Sequence, residues 1–131
     1  SEMNASADEP VHFLQIWIEP DRRGVSPSYE QVRIEPAQKR GRLALIASPD
    51  GAAGSVRIHQ DARVYAGLFD AAEAATLPLA AGRRAYVHVA LGSAAVNGVP
   101  LGAGDALRLS DEAGLRIDSG RGAELLVFDL P

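Results

Sequence analysis

His12, His59 and His88 are the only imidazoles in a chain of 131 residues that has no cysteine. Without thiolates, a metal site built from this chain would have to draw on those three rings and on carboxylates. None of the three belongs to a His-x-His or His-x-x-x-His pair, so nothing local favours coordination. His88 lies in the alternating run Ala85-Tyr86-Val87-His88-Val89-Ala90-Leu91. On a strand, that spacing puts Tyr86 and Ala90 on its own face and Val87, Val89 and Leu91 on the other, so His88 reads as a solvent-side strand histidine. His59 and Asp61 are two apart and would make an acid/base pair on a shared face. The simpler expectation is a hydrogen-bonded turn at the end of Val56–Gln60. His12 marks the entrance to a strand. No catalytic and no cofactor-binding residue is predicted, and the Gly-x-Ser-x-Gly turn of a serine hydrolase is absent. Gly82-Arg83-Arg84 could hold an anion, but two arginines on a loop are expected to be solvated.

The elements around these residues read as short strands. Residues 11–18 carry Val, Phe, Leu, Ile, Trp and Ile around Gln15, which predicts a strand that contains the sole Trp, Trp17, in a core or interface role. Pro20, Gly24, Pro27 and Pro36 then punctuate a long irregular connection, in which Tyr29-Glu30 is expected to pack the linker against a domain. Further strands are predicted at 43–47, 56–60, 63–69, 85–91, 106–109, 115–117 and 124–128. Ser48-Pro49-Asp50-Gly51, Asn97-Gly98 and Gly102-Ala103-Gly104-Asp105 supply turns, Asn-Gly being a strong hairpin signal. Asp70–Ala75 is expected to form at most one helical turn capped by Asp70. Many short strands with regular turns predict an all-β sandwich or small barrel, and no long helices alternate with them to build a parallel sheet.

Composition excludes several classes. Hydrophobic residues make up 47% of the chain, enough for a core. The 13 basic and 17 acidic residues give a net charge of −4, with the basic ones scattered, so no nucleic-acid surface is predicted. No apolar run reaches membrane-spanning length, and no signal pattern opens the chain, so a cytoplasmic location is expected. Because the first residue is Ser and not Met, the chain is expected to be processed, cleaved or a fragment.

Two segments together carry a family resemblance. The stretch His12-Phe13-Leu14-Gln15-Ile16-Trp17-Ile18-Glu19-Pro20, followed by Ser26-Pro27-Ser28-Tyr29-Glu30-Gln31, resembles the inter-domain junction of the pirin-like double cupins. The segments Ser48–Gly51 and Ile58-His59-Gln60-Asp61-Ala62 and the closing Leu125–Pro131 are similar to the same family. Leu91–Gly98 and Leu101–Leu107 look like the glycine-punctuated halves of the cupin signature. In that signature two histidines, a glutamate and a third histidine surround a divalent metal such as Fe, Mn, Ni, Cu or Zn. Here the glutamate position falls near Ala85, the first two histidine positions around Pro78–Ala81 and the third at Leu107, and none of these carries a ligand.

The resemblance therefore implies an all-β, cupin-type jelly-roll barrel with an N-terminal strand and linker arm. Residues 1–40 would be the arm and junction at the end of a first cupin, and 41–131 a metal-free C-terminal cupin. The parent would be a metal-dependent oxidoreductase of the quercetin 2,3-dioxygenase type, its divalent transition metal held in the N-terminal cupin, with this chain structural and catalytically silent. The family's first cupin closes its metal site with His-Ser-Glu, so Glu2 would be a remnant ligand. The alternative is a non-enzymatic protein-interaction or small-molecule-binding module. The expected partners are the N-terminal cupin of the same protein and, through residues 11–18, a second copy of the chain, because an apolar strand without a sheet leaves a sticky edge.

Overall fold

The computed structural model describes residues 3–131. The predicted strand at 11–18 is not part of any sheet, and no backbone hydrogen bond joins it to a neighbouring strand among the described residues. The isolated strand pattern has β-forming side chains but no partner edge, and pairing rather than propensity makes a strand. Residues 19–35 stay irregular, as expected, and lead into one helical turn, α1 (Pro36–Lys39), which the sequence reading missed. Its cue is a reciprocal capping pair, Glu35 with Gln38, around a proline at the first helical position.

The body is built of β1 (Leu43–Ser48), β2 (Val56–Arg57), β3 (Arg63–Phe69), β4 (Ala75–Pro78), β5 (Arg84–Val96), β6 (Val99–Gly102), β7 (Ala106–Ser110) and β8 (Gly114–Leu130). Hydrogen bonding runs in the order β2-β1-β3-β8-β5-β6, with β4 also on β8 and β7 also on β5. The path does not close, so the jelly-roll-like fold is a sandwich whose layers share two long strands. β5 pairs with β7 through Arg84–His88 and with β6 through Ser93–Val96, while β8 pairs with β4 at one end and with β3 at the other.

Both long strands change layers at glycines. The β5–β8 register slips at three places between Val89 and Ala95. Gly92, at φ +67°, sits there, and a Cβ on it would collide with the carbonyls of Arg121 and Gly122. A Cβ on Gly120 would stand 2.6 Å from the Phe69 carbonyl. These bends fuse the two predicted strands 115–117 and 124–128 into one, and they turn Leu91 outward, 45% exposed, against the expected inward face.

Other expectations shift locally. The predicted strand 56–60 stops at Arg57. The predicted helical turn at 70–75 is a tight turn with Ala71 at φ +50°, held by Asp70 N–H donating to Glu73 Oε2 (2.7 Å), and Ala75 opens a strand that was not predicted. The Asn97-Gly98 hairpin forms as expected, with φ +47° and +80°. Between the layers lies one cluster in which Phe69, Val87, Val89, Ile117, Leu125 and Val127 are fully buried. None of the helices among the described residues is long and apolar enough to cross a membrane.

Candidate functional site: a filled interior and an apolar outer face

Alternation along β5 and β8 gives the molecule its two surfaces of interest. Ala85, Val87 and Val89 point into the core, and Tyr86 and His88 point outward, as the sequence spacing predicts. The interior is where a cupin signature would gather ligands. Leu79 and Ala85 are buried members of the central cluster, and Leu107 packs against it. The backbone thus brings the three signature segments together, Ala85 opposite Leu109 and Val87 opposite Leu107, but supplies them with methyl groups. Aliphatic carbons offer no lone pair, so these positions do not fit a metal. No group of three or more His, Asp or Glu among the described residues is placed to hold one. The predicted ligand Glu2 lies outside the described residues.

The histidines stay apart in role. His12 is exposed on the arm, His59 gives its carbonyl to the Asp21 N–H (2.7 Å), and His88 lies on the outer face opposite Leu126. The candidate pair of His59 with Asp61 does not form, because Asp61 turns to Arg83, 3.1 Å away. Arg83 is itself a correction, being half-buried in an ion-pair cluster and not a solvated loop arginine. Its Nε donates to the Asp129 carboxylate and its Nη2 to the carbonyls of Asp61 and Asp129, both at 3.2 Å. The hydrogen bond to Asp129 is the main reason the guanidinium is held even more firmly protonated than usual, burial opposing it and Asp61 adding to it. Asp129 is 6% exposed. Arg83 and Asp129 stand 46 positions apart, and no local spacing signals their meeting.

The outer face is apolar. Tyr86 and Phe128 sit opposite each other on β5 and β8 with ring centroids 5.8 Å apart and planes tilted by 58°, a favourable aromatic geometry. The arm crosses this face. Leu14, Gln15 and Ile16 share one groove with Tyr86, His88, Leu126 and Phe128, and Ile16–Glu19 share the next with Ala62, Phe128 and Leu130. Exposure alternates accordingly: Leu14 and Ile16 are 41% and 44% exposed, against 55% for Phe13 and 88% for Trp17. Trp17 is therefore not a core residue. The linker is pinned by the Asp21 N–H on the His59 carbonyl, by Gln60 Nε2 donating to the Glu19 carbonyl (2.9 Å) and by Arg57 N–H donating to Glu30 Oε2 (2.8 Å). Glu30 packs the linker against the β2 edge as expected, while Tyr29 is 83% exposed and its hydroxyl donates to Gln31 Oε1.

Comparison with known proteins accords with this geometry. Residues 45–130 match the family model described as the quercetinase C-terminal cupin domain. The chain is 37% identical over 131 residues to quercetin 2,3-dioxygenase of Escherichia coli K12, all of this chain aligning with 55% of that protein. It is 34% identical to a pirin-like protein of Caulobacter vibrioides, with 92% of this chain aligning with 53% of the relative. Among solved structures, YhhW from E. coli superposes with a TM-score of 0.81 at 36% identity, covering 88% of this chain and 48% of that one. The same bacterial pirin in complex with nickel(II) superposes with a TM-score of 0.78 at 35% identity, over 86% of this chain and 47% of that one. The chain spans about half the length of the curated relatives it matches.

Proposed function

The chain belongs to the pirin-like double-cupin family as a quercetinase C-terminal cupin domain, and on that basis we propose that it is the metal-free half of a quercetin 2,3-dioxygenase-like oxidoreductase. The observation that carries this reading is the filled interior. Leu79 and Ala85, at the positions where the signature would carry ligands, belong to one buried cluster with Val87 and Val127, and Leu107 packs against it. A metal-dependent step on a flavonol would then belong to the other cupin, and this domain would be catalytically silent.

Its work in that reading is mechanical. The arm lies on the Tyr86–Phe128 face with one row of side chains and presents Phe13 and Trp17 on the other. A strand apolar on both sides is what a contact between two sheets requires. The N-terminal cupin would supply the second sheet, and the arm would become the layer between the domains.

The test is quercetin consumption by the 131-residue chain alone and by the chain joined to the N-terminal cupin of its E. coli relative. The expected result is turnover by the joined protein only. Turnover by the chain alone would place the chemistry here and overturn the reading. A folded, metal-loaded joined protein without turnover would favour the docking-module alternative, to which the exposed aromatic row of the arm also points.

A further inference from the structure

Asn97-Gly98 is the only Asn-Gly pair in the chain; the other asparagine, Asn4, precedes Ala5. Asparagine is a thermally labile residue, and a following glycine exposes it most, because no side chain shields the attacking nitrogen. In that reaction the Gly98 nitrogen attacks Asn97 Cγ, a C–N bond closes a five-membered imide, and the bond from Cγ to Nδ2 breaks. Ammonia leaves with the proton of the Gly98 nitrogen. Water then opens the imide at either carbonyl, giving aspartate or its β-linked isomer, and no oxidant or cofactor enters the balance. Gly98 is exposed, with nothing within 4 Å of its missing Cβ, so neither crowding nor exclusion of water opposes the step.

The backbone does oppose it. Asn97 and Gly98, at φ +47° and +80°, form the two-residue loop between the paired Val96 and Val99. These are the signs of a type I′ turn, whose first central residue has ψ of about +30°. The imide ring closes only when the Gly98 nitrogen eclipses Asn97 Cβ about the Cα–C bond. At that ψ an L-residue holds the nitrogen nearly opposite Cβ, out of reach of Cγ. The carboxamide is also tied to β8: Oδ1 accepts from the Arg116 N–H (2.7 Å) and Nδ2 donates to the Gly114 carbonyl (3.2 Å). The Asn97 N–H completes the clamp by donating to the Arg116 carbonyl (2.9 Å). All of these contacts lie within the sandwich itself.

We propose that Asn97 is a latent modification site, locked while the hairpin keeps its turn and deamidated only when the hairpin lets go of β8. The modification is then a one-way record of opening. The aspartate product has no Nδ2 donor and sets a carboxylate oxygen against the Gly114 carbonyl, and the β-linked product adds a methylene to the turn backbone. Neither restores the tie. The inference does not rest on where the metal chemistry takes place.

The test is peptide mapping by mass spectrometry of the 131-residue chain, kept in mildly alkaline buffer either folded or unfolded in urea. Each rate is divided by that of an end-blocked Val96–Val99 peptide in the same solution, which removes any effect of urea on the chemistry. Loss of the Asn97 amide is expected to be more than about tenfold slower in the folded chain, because only the open fraction reacts. Equal normalised rates in the two states would overturn the proposal. Asn97→Asp, which makes the first product directly, is expected to lower the urea midpoint. An unchanged midpoint would overturn the one-way character of the mark. Neither result bears on quercetin turnover, so the two readings fail separately.

Discussion

Arg83 ties three distant pieces of chain together: the loop before β3 through Asp61, the start of β5 on which it borders, and the end of β8 through Asp129. Its side chain and that of Asp129 are 15% and 9% exposed, so removing the cation strands a buried carboxylate. Arg83→Met is expected to cost about 3 kcal/mol, read as a lower urea midpoint. Asp61 is 61% exposed, and Asp61→Asn should cost under about 1 kcal/mol by the same measurement. A second polar knot lies at the first turn, where the buried Ser48 hydroxyl meets Ser55 Oγ (2.8 Å), Asp50 Oδ1 (3.0 Å) and the Ala52 N–H (3.1 Å). The Ser48 hydrogen bond, helped by the Ala52 N–H, holds the Asp50 carboxyl below its ordinary range. A carboxyl lowered on folding stabilises the fold at neutral pH, and that contribution is lost as pH falls from the unfolded value, about 3.9, through the folded one. Ser48→Ala should move the Asp50 titration, followed by NMR, up towards that unfolded value. The turn itself was readable from Ser48-Pro49-Asp50-Gly51. The Arg83 cluster was not, because partners so far apart in sequence meet only through strand pairing.

At the scale of elements, local signals served wherever a strand finds its partner nearby. The alternation of 63–69 reproduces β3 to the residue, and Asn97-Gly98 marks its hairpin with both φ values positive. The Asn97 side chain further ties that hairpin to β8, accepting from the Arg116 N–H (2.7 Å) and donating to the Gly114 carbonyl (3.2 Å). Period-two reasoning fails where a strand changes layers. Leu91 follows Val89 with the right spacing for the core, but the slipped register beside Gly92 turns it out. The reason is long-range: the Arg121 and Gly122 carbonyls occupy the space a Cβ at position 92 would need, a closeness that no window of sequence reports. Gly104 also has positive φ, at +89°, but nothing stands within 4 Å of its missing Cβ. Gly104→Ala should therefore cost about 1 kcal/mol, from backbone strain alone. Gly92→Ala adds a backbone collision, and its loss should exceed that of Gly104→Ala by about 2 kcal/mol or more in the same denaturation experiment.

For the whole molecule, the division is between a packed sandwich and an arm. The cupin signature was readable from its glycines, and the apolar residues in its ligand positions were visible at Ala85 and Leu107 before the fold placed them against the core. The strand at 11–18 was misassigned for an instructive reason: its residues are strand formers, but they lie across a sheet face and pair with no sheet edge. It lays an apolar row over Tyr86 and Phe128 and leaves Phe13 and Trp17 exposed. The most direct test is the metal content of the 131-residue chain, measured by mass spectrometry after loading with Fe, Mn, Ni, Cu and Zn in turn and removal of the excess. Much less than one equivalent of each metal is the predicted result. One tightly bound equivalent per chain would contradict the metal-free assignment and place a ligand set within this domain.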